Sequence, residues 1–413
     1  MLFRPDFDSR SEAEFDAAIR EVEAHATPQS VKDFNRLSQL GLFTQPEQVE
    51  LLHYAAILLR EQGRVEEVSK QETLRPREFI WAALYPHLRN AGYILPHRYA
   101  PFGHVQGSPV KPPGRFDRPL SLLDCNVLPA IRADTGDRVV LKMTCSRQGS
   151  PCAHELEILR LLNTEPLRSH PDNAAIQLLD AVAFPPIQGQ PRAADLHILV
   201  MPMLRILCVA DCAINGFALH LMKQTFRTVA FLHSIGICHR DIGRGNLMMA
   251  STESIPYQLR LIDFGYSQQF DISGGSPSVQ WIAGQIPPPE VVEDHDVHYD
   301  PFKAEIFALS ETWNMQRLHG MLPEATVALL DRMAHLDPAA RPSAAECVRD
   351  LEASLAGVGL IEQLSPTRVL VSVFKLVLLD REERDLRDCA GYAANYLCAV
   401  GLYIVRRGWN FLR

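Results

Sequence analysis

Cys238-His239-Arg240-Asp241-Ile242-Gly243-Arg244-Gly245-Asn246-Leu247, followed seventeen residues after Asn246 by Asp263-Phe264-Gly265, decides how this chain is read. A carboxylate and an amide five residues apart on a glycine-containing loop can face one point. A second carboxylate, Asp263, then arrives from the end of a short strand, Leu259-Arg260-Leu261-Ile262. Asp241 can accept a proton from an attacking hydroxyl. Asn246 and Asp263 offer hard oxygen atoms of the kind that hold Mg²⁺ between phosphates. Asp-Phe-Gly alone is a weak signal; at a strand end downstream of His-Arg-Asp-x-x-x-x-Asn it is a strong one.

Outward from this stretch, apolar periodicity places the remaining elements. Phe217 to His233 reads as a long helix and Leu196 to Met201 as a buried strand. Asp137 to Met143 follows the turn signal Asp134-Thr135-Gly136 and reads as the second arm of a hairpin. Glu155 to Leu162 carries a helical apolar stripe, and the signals beyond residue 300 are helical. A small sheet-rich half followed by a larger helical half is an α+β arrangement. Four stretches result. Residues 1–80 are a helical extension containing Phe15–Ala26 and Val49–Gln62, and 81–118 are an aromatic, Pro-rich lead-in. Residues 119–355 bear the chemistry, and 356–413 form a tail with a β-like run or a short helix at Val369–Val373.

These motifs resemble those of eukaryotic protein kinases over roughly residues 119–355. More narrowly, Phe79-Ile80-Trp81, Ala91-Gly92-Tyr93 and Pro129-Ala130-Ile131-Arg132 are similar to segments of divergent kinase-like proteins of mushroom-forming fungi. The resemblance implies a two-lobed fold, a small antiparallel sheet lobe plus a larger helical lobe, with an N-terminal helical extension. It implies that Lys142, on Val139-Val140-Leu141-Lys142, neutralises ATP phosphate charge. Glu155, thirteen residues on, would pair with it, while Glu157 points to another face. Val200 would back the adenine pocket, and Met201 and Met203 would offer backbone groups to adenine; Pro202 has no N–H to offer. Glu290 of Pro288-Pro289-Glu290 would pair with Arg341 as a structural tie. Glu305 would stand on the central helix of the large lobe. His239, Phe264 and Gly265 would be structural, His239 and Phe264 as packing elements. Lys142, Val200, Met201, Met203, Asn246 and Asp263 form the implied ATP and Mg²⁺ set; Asp241, Lys142, Glu155 and Arg244 form the catalytic one.

Several positions depart from the family pattern. No Gly-x-Gly-x-x-Gly precedes Lys142; the corresponding stretch is read as Leu123 to Ala130. Gly243 stands where Ser/Thr kinases usually carry Lys, and Arg244 beside it could supply that charge or be an exposed loop arginine. Glu305 replaces an Asp, and Ile282-Ala283-Gly284 replaces the usual Gly-Thr. Arg240 invites a phosphate from Ser273, Ser276 or Ser278, which otherwise form a flexible Gly/Ser loop.

Composition narrows the classes. With 413 residues, 47% hydrophobic and 22% charged, the chain can bury a sizeable core. A net charge of −8 argues against a general nucleic-acid binder. Nine cysteines with no C-x-x-C pair suggest neither a zinc site nor a disulfide framework, but reduced thiols in a cytoplasmic or nuclear protein. The N-terminus has no apolar run that reads as a secretory signal. Ala390 to Val405 is apolar but short of the about 20 residues a span needs, so a packed helix is expected over a membrane contact. The expected activity is ATP- and Mg-dependent phosphoryl transfer to protein hydroxyls, Ser/Thr ahead of Tyr. The alternatives are a pseudokinase that holds nucleotide as a scaffold, and a kinase of a small-molecule alcohol. The protein substrate is not named by the sequence.

Overall fold

Apolar residues at helical spacing build the first described elements, α1 (Pro46–Glu61), α2 (Val65–Ser69) and α3 (Phe79–Asn90). The computed structural model describes residues 46–69, 74, 78–101, 126–150, 152–207, 215–250, 258–281, 286–293, 297–318 and 322–358. The expected helix at Phe15–Ala26, most of the lead-in, Ile282–Gly284, the run Val369–Val373 and the apolar stretch Ala390–Val405 lie outside the described residues. Among the described residues, no helix is long and apolar enough to cross a membrane. The cysteines at 145, 152, 238 and 347 are free thiols.

The chain divides into two compact units, one from residues 1–150 and 178–203, the other from 151–177 and 204–413. In the first unit α3 is buried nearly all round, through Phe79, Trp81, Leu84 and Leu88 among others, as expected of an enclosed helix. Arg64 ties it down by donating to the Ala82 carbonyl at 2.7 Å and the Tyr99 carbonyl at 3.3 Å. Glu78, fully buried, accepts from the Tyr99 hydroxyl at 2.8 Å and from Arg98 at 3.3 Å.

The sheet of this unit comprises β1 (Tyr93–Ile94), β2 (Val127–Arg132), β3 (Arg138–Cys145), β4 (Asp180–Ala183) and β5 (Leu196–Pro202). Its order is β1-β2-β3-β5-β4, antiparallel throughout. Asp134-Thr135-Gly136 closes the β2–β3 hairpin, with Gly136 at φ 76° where a side chain would be strained. Lys142 sits mid-strand, opposite Val127 on one side and Leu199 on the other. Among the described residues, Tyr93–Ile94, in the lead-in ahead of residue 119, is an edge strand of this sheet. Val127–Ala130, the end of the stretch read in place of a glycine loop, lie on β2 and pair with β3. Residues 102–125 lie outside the described residues. The sheet curls so that its edges meet: the Tyr93 hydroxyl on β1 donates to Asp180 of β4 at 2.7 Å, and His87 of α3 reaches the Ala183 carbonyl at 2.9 Å. Burial first, then the Asp180 hydrogen bond, holds the Tyr93 phenol well above its ordinary pKa, so it remains a donor.

The second unit begins with α4 (Glu155–Leu162), whose Leu156, Ile158, Leu159 and Leu162 are buried. After α4, the segment from Thr164 to Ala175 is held by Asn173, whose amide donates to the Leu162 and Leu167 carbonyls at 2.8 and 2.9 Å. Next come β6 (Arg205–Ile206), α5 (Asn215–Ser234), β7 (Ile237–Cys238), β8 (Leu247–Met249), β9 (Leu259–Leu261), β10 (Gln268–Gln269) and β11 (Val279–Gln280). They are followed by α6 (Pro289–Glu293), β12 (His298–Tyr299), α7 (Pro301–Leu318), α8 (Glu324–Met333) and α9 (Ala344–Ala356). The strands pair as β6-β8-β9, β7-β10 and β11-β12. Gly236, at φ 76°, is required: a Cβ there would lie 2.3 Å from the Phe270 carbonyl oxygen. A capping box of Ser343 and Glu346 starts α9. Glu352 of α9 accepts from Arg227 and Lys223 of α5. The whole is α+β: a sheet unit with helices, and a larger, mostly helical unit.

Tyr93→Phe removes the bond that joins the two sheet edges, and should cost about 1 kcal/mol of stability in denaturant unfolding. An unchanged unfolding midpoint would show that the edges hold without it.

Candidate active site

The loop after β7 is set by one buried carboxylate. Glu305, on α7 and 3% exposed, accepts the His239 backbone N–H at 3.0 Å. It also accepts from the Cys238 thiol and from His233 Nε2, the latter at 3.1 Å. Burial alone would push the Glu305 carboxyl up. The His233 hydrogen bond and charge, the His239 charge and the Cys238 thiol outweigh it, and the group sits below the ordinary glutamate range. Cys238 is pushed the other way, by burial first and then by the Glu305 charge, so its thiol stays protonated and donates. The glutamate thus does reach the loop backbone, through the extra methylene.

The His239 ring is held at both nitrogens. Its Nε2–H donates to the Ile262 carbonyl at 3.0 Å, while Nδ1 accepts the Asp241 N–H at 3.3 Å. Its ring meets Phe264 edge-on at 4.8 Å. Both rings are fully buried.

Asp241 and Asn246 come together directly. The Asn246 amide donates to the Asp241 carbonyl at 2.8 Å and to its carboxylate Oδ2 at 2.7 Å. That commits the NH₂ to orienting Asp241 and leaves Asn246 Oδ1 as the atom available to a cation. Asp263 is delivered by strand register. β8 pairs with β9 so that Leu247 faces Leu261, and the Ile262 N–H donates to the Asn246 carbonyl at 3.0 Å. Asp263 is the next residue; it adopts φ 63°, and its Oδ1 accepts the Gly265 N–H at 3.3 Å. Arg240 also has φ 63°. Left-handed backbone at non-glycine residues costs about 1–3 kcal/mol each and survives only where the surroundings over-determine it. An amide oxygen and carboxylates around one loop fit a hard divalent cation such as Mg²⁺.

Around this loop, Arg244 is exposed, with no side-chain hydrogen bond or ion pair among the described residues. Arg240 is buried and donates to Gln268, to the Gln280 carbonyl and to the Tyr299 hydroxyl, all neutral. Glu290 and Arg341 form a two-pronged pair at 2.9 and 2.7 Å. Arg341, 1% exposed, spends its other N–H groups on the His335, Leu336 and Lys303 carbonyls and lies over the Phe307 ring. Glu155 opens α4 and is 1% exposed, whereas the Glu157 side chain is 84% exposed, so they occupy different faces.

In the sheet unit, Lys142 is buried, as are Val200 and Met201 at the end of β5. The Met203 N–H donates to the Arg138 carbonyl at 3.2 Å, which leaves the Met203 carbonyl to meet a base. The residues that sequence reasoning passed over are His233, Cys238, Gln268 and Tyr299. The first two flank the loop closely enough to be found by asking what could donate to Glu305.

A family model described as the protein kinase domain matches residues 215–310, the stretch from α5 through the loop to α7. Ribosomal protein S6 kinase alpha-1 of Mus musculus is 31% identical over 78 residues, 19% of this chain and 10% of that protein. A Caenorhabditis elegans protein designated as the same kinase is 31% identical over 72 residues, 17% of this chain and 9% of its own length. The chain thus spans about a tenth of the length of these curated relatives.

The Glu305 grip is pH-dependent. A carboxyl whose folded pKa is depressed stabilises fully above its ordinary value, and that stability fades as pH falls through the depressed one. Glu305→Gln should lose this part of the acid dependence. It should also cost about 3 kcal/mol near neutrality, because an amide offers fewer acceptors to buried donors. Thermal melting of both proteins from neutral to acid pH checks this; parallel curves would remove Glu305 from the account.

Proposed function

We propose that this chain, a member of the protein-kinase superfamily, transfers the γ-phosphoryl group of ATP to protein hydroxyls, Ser/Thr in preference to Tyr. The observation that supports it most is the pairing of Asp241 with Asn246, on a loop gripped by Glu305, with Asp263 delivered alongside by the β8–β9 register.

Each residue has a part. Asp241, aimed by Asn246, accepts the proton of the attacking hydroxyl. Asn246 Oδ1 and Asp263 would hold Mg²⁺, which when bound neutralises phosphate charge. Lys142 on β3 would share that neutralisation, and Glu155 would steady the lysine. Val200, Met201 and the Met203 carbonyl would border the adenine. Arg244, exposed on the loop, would supply positive charge where Gly243 has none. Glu290 and Arg341 serve structure alone, fastening the segment that ends at α6 to the helical unit.

A second reading, a nucleotide-holding scaffold without turnover, draws on the sheet unit. There no Gly-x-Gly-x-x-Gly precedes Lys142, and the Met203 N–H is already spent. Both features would weaken the hold on ATP more than the chemistry. A kinase of small alcohols has less support, because the buried Glu290–Arg341 tie belongs to a braced segment suited to a polypeptide acceptor.

Purified full-length chain with Mg²⁺ and ATP should release ADP, and Asp263→Asn should lower kcat by at least about a hundredfold. Arg244→Ala should reduce kcat with little change in the KM for ATP. No ADP release from folded protein, together with a melting temperature raised by Mg-ATP, would favour the scaffold.

A further inference from the structure

Arg240 is 9% exposed, and its hydrogen bonds run to three strands. Nη1 donates to Gln268 Oε1 on β10 at 3.2 Å. Nη2 donates to the Gln280 carbonyl on β11 at 3.0 Å and to the Tyr299 hydroxyl on β12 at 3.3 Å. Nε is buried and has no acceptor among the described residues. Among the described residues, no hydrogen-bond partner of this guanidinium carries a charge. Burial raises the Tyr299 pKa and Arg240 only partly offsets it, so the phenol is neutral near pH 7.

These contacts grip both ends of the segment that runs from Gln268 to Gln280. Each end is also paired: β10 with β7, and β11 with β12. Trp281 packs against Tyr299 with ring centres 5.8 Å apart. Between the ends, Ser273, Ser276 and Ser278 are exposed. The Ser273 hydroxyl and N–H both serve the Asp271 carboxylate, and those bonds hold Asp271 below its ordinary pKa. A phosphate on Ser273 would therefore meet a neighbouring negative charge. A phosphate seeking Arg240 would have to displace neutral groups already bonded to a buried guanidinium.

We infer that Gln268 and Tyr299 are positioning residues: through Arg240 they hold residues 268–280, and with them the loop bearing Asp241, without a phosphate on the segment. The kinetic side of this inference rests on the phosphotransfer reading above; the structural side does not. Arg240 joins the segment to Asp241 by a single peptide bond, in a left-handed conformation that its side-chain tethers maintain. Loosening the tethers relaxes that conformation and moves Asp241. This replaces the expectation that Arg240 awaits a phosphoserine.

The test uses the full chain, freed of phosphate by phosphatase and verified by mass, with ADP release from Mg-ATP and hydrogen exchange of peptides covering 266–281 as readouts. Phosphate-free protein should turn over within about twofold of untreated protein, and the triple variant Ser273→Ala, Ser276→Ala, Ser278→Ala should match it. Gln268→Leu should lower kcat about tenfold at unchanged KM for ATP and speed exchange across the segment, whereas Gln268→Glu restores both. Tyr299→Phe should speed exchange at 279–280. A phosphate-dependent rise in turnover of about tenfold or more, or exchange that is fast until phosphate is present, would overturn the inference. If no preparation turns over ATP, the phosphotransfer reading falls and exchange alone decides: slow exchange in phosphate-free chain supports the clamp, and fast exchange ends it.

Discussion

A carboxylate buried without donors costs several kcal/mol, so Glu305 dictates what can surround it. Its donors come from three places: the last turn of α5, the end of β7 and the first peptide of the loop. Meeting that demand fixes where β7 ends relative to α5 and α7. Everything downstream inherits the position. His239, anchored by its backbone N–H, presents a ring that reaches Ile262, which ties the loop to the end of β9. Asn246 closes the loop on Asp241 and also bonds the Ile262 N–H, so one residue serves both the base and the strand that delivers Asp263. Glu305 carries the charge on a side chain one methylene longer than Asp, and it accepts from His233 and Cys238 as well as from the loop backbone.

Strain is placed beside the reacting groups. Arg240 and Asp263 are the non-glycine residues with positive φ among the described residues, and each adjoins or is a candidate functional carboxylate. Such conformations persist where neighbours leave no alternative. For Asp263 those neighbours are the β8–β9 register and the Gly265 N–H. For Arg240 they are the Glu305 grip on the preceding residue and the tethers to Gln268, Gln280 and Tyr299. The Glu290–Arg341 pair works at a different point, fixing α6 by a charge pair too buried to be broken cheaply.

What the sequence made legible was local or carried by tight spacing. The β2–β3 hairpin, α4, α5 and β9 are at or within a few residues of where apolar periodicity puts them, because each is specified by its own residues. Glu290 and Arg341 were paired in advance through motifs, although 51 residues separate them. The misses share a cause: they depend on strands brought together by the fold. Nothing in Tyr93-Ile94 announces a two-residue strand whose partner begins over thirty residues later. Gln268 and Tyr299 belong to no motif, and only the pairing of β10 with β7 and of β11 with β12 brings them to Arg240. The spent N–H of Met203 follows from the register of β3 against β5, which hydrophobic patterning alone does not specify.

The departures from the family pattern divide unevenly between the two units, and the division bears on function. In the helical unit the glutamate substitution is absorbed, and the hydrogen bonds that aim Asp241 are complete. In the sheet unit the changes are the missing Gly-x-Gly-x-x-Gly before Lys142 and the spent N–H of Met203. A scaffold that needed only to hold nucleotide would gain from the reverse arrangement, with good backbone donors for base and phosphates and no need to aim Asp241. Left-handed backbone at Asp263 and an amide committed to the Asp241 carboxylate are costs with no return unless that carboxylate does something. The strain is therefore concentrated on the loop that bears Asp241 and on Asp263, in the unit where the aiming hydrogen bonds are complete.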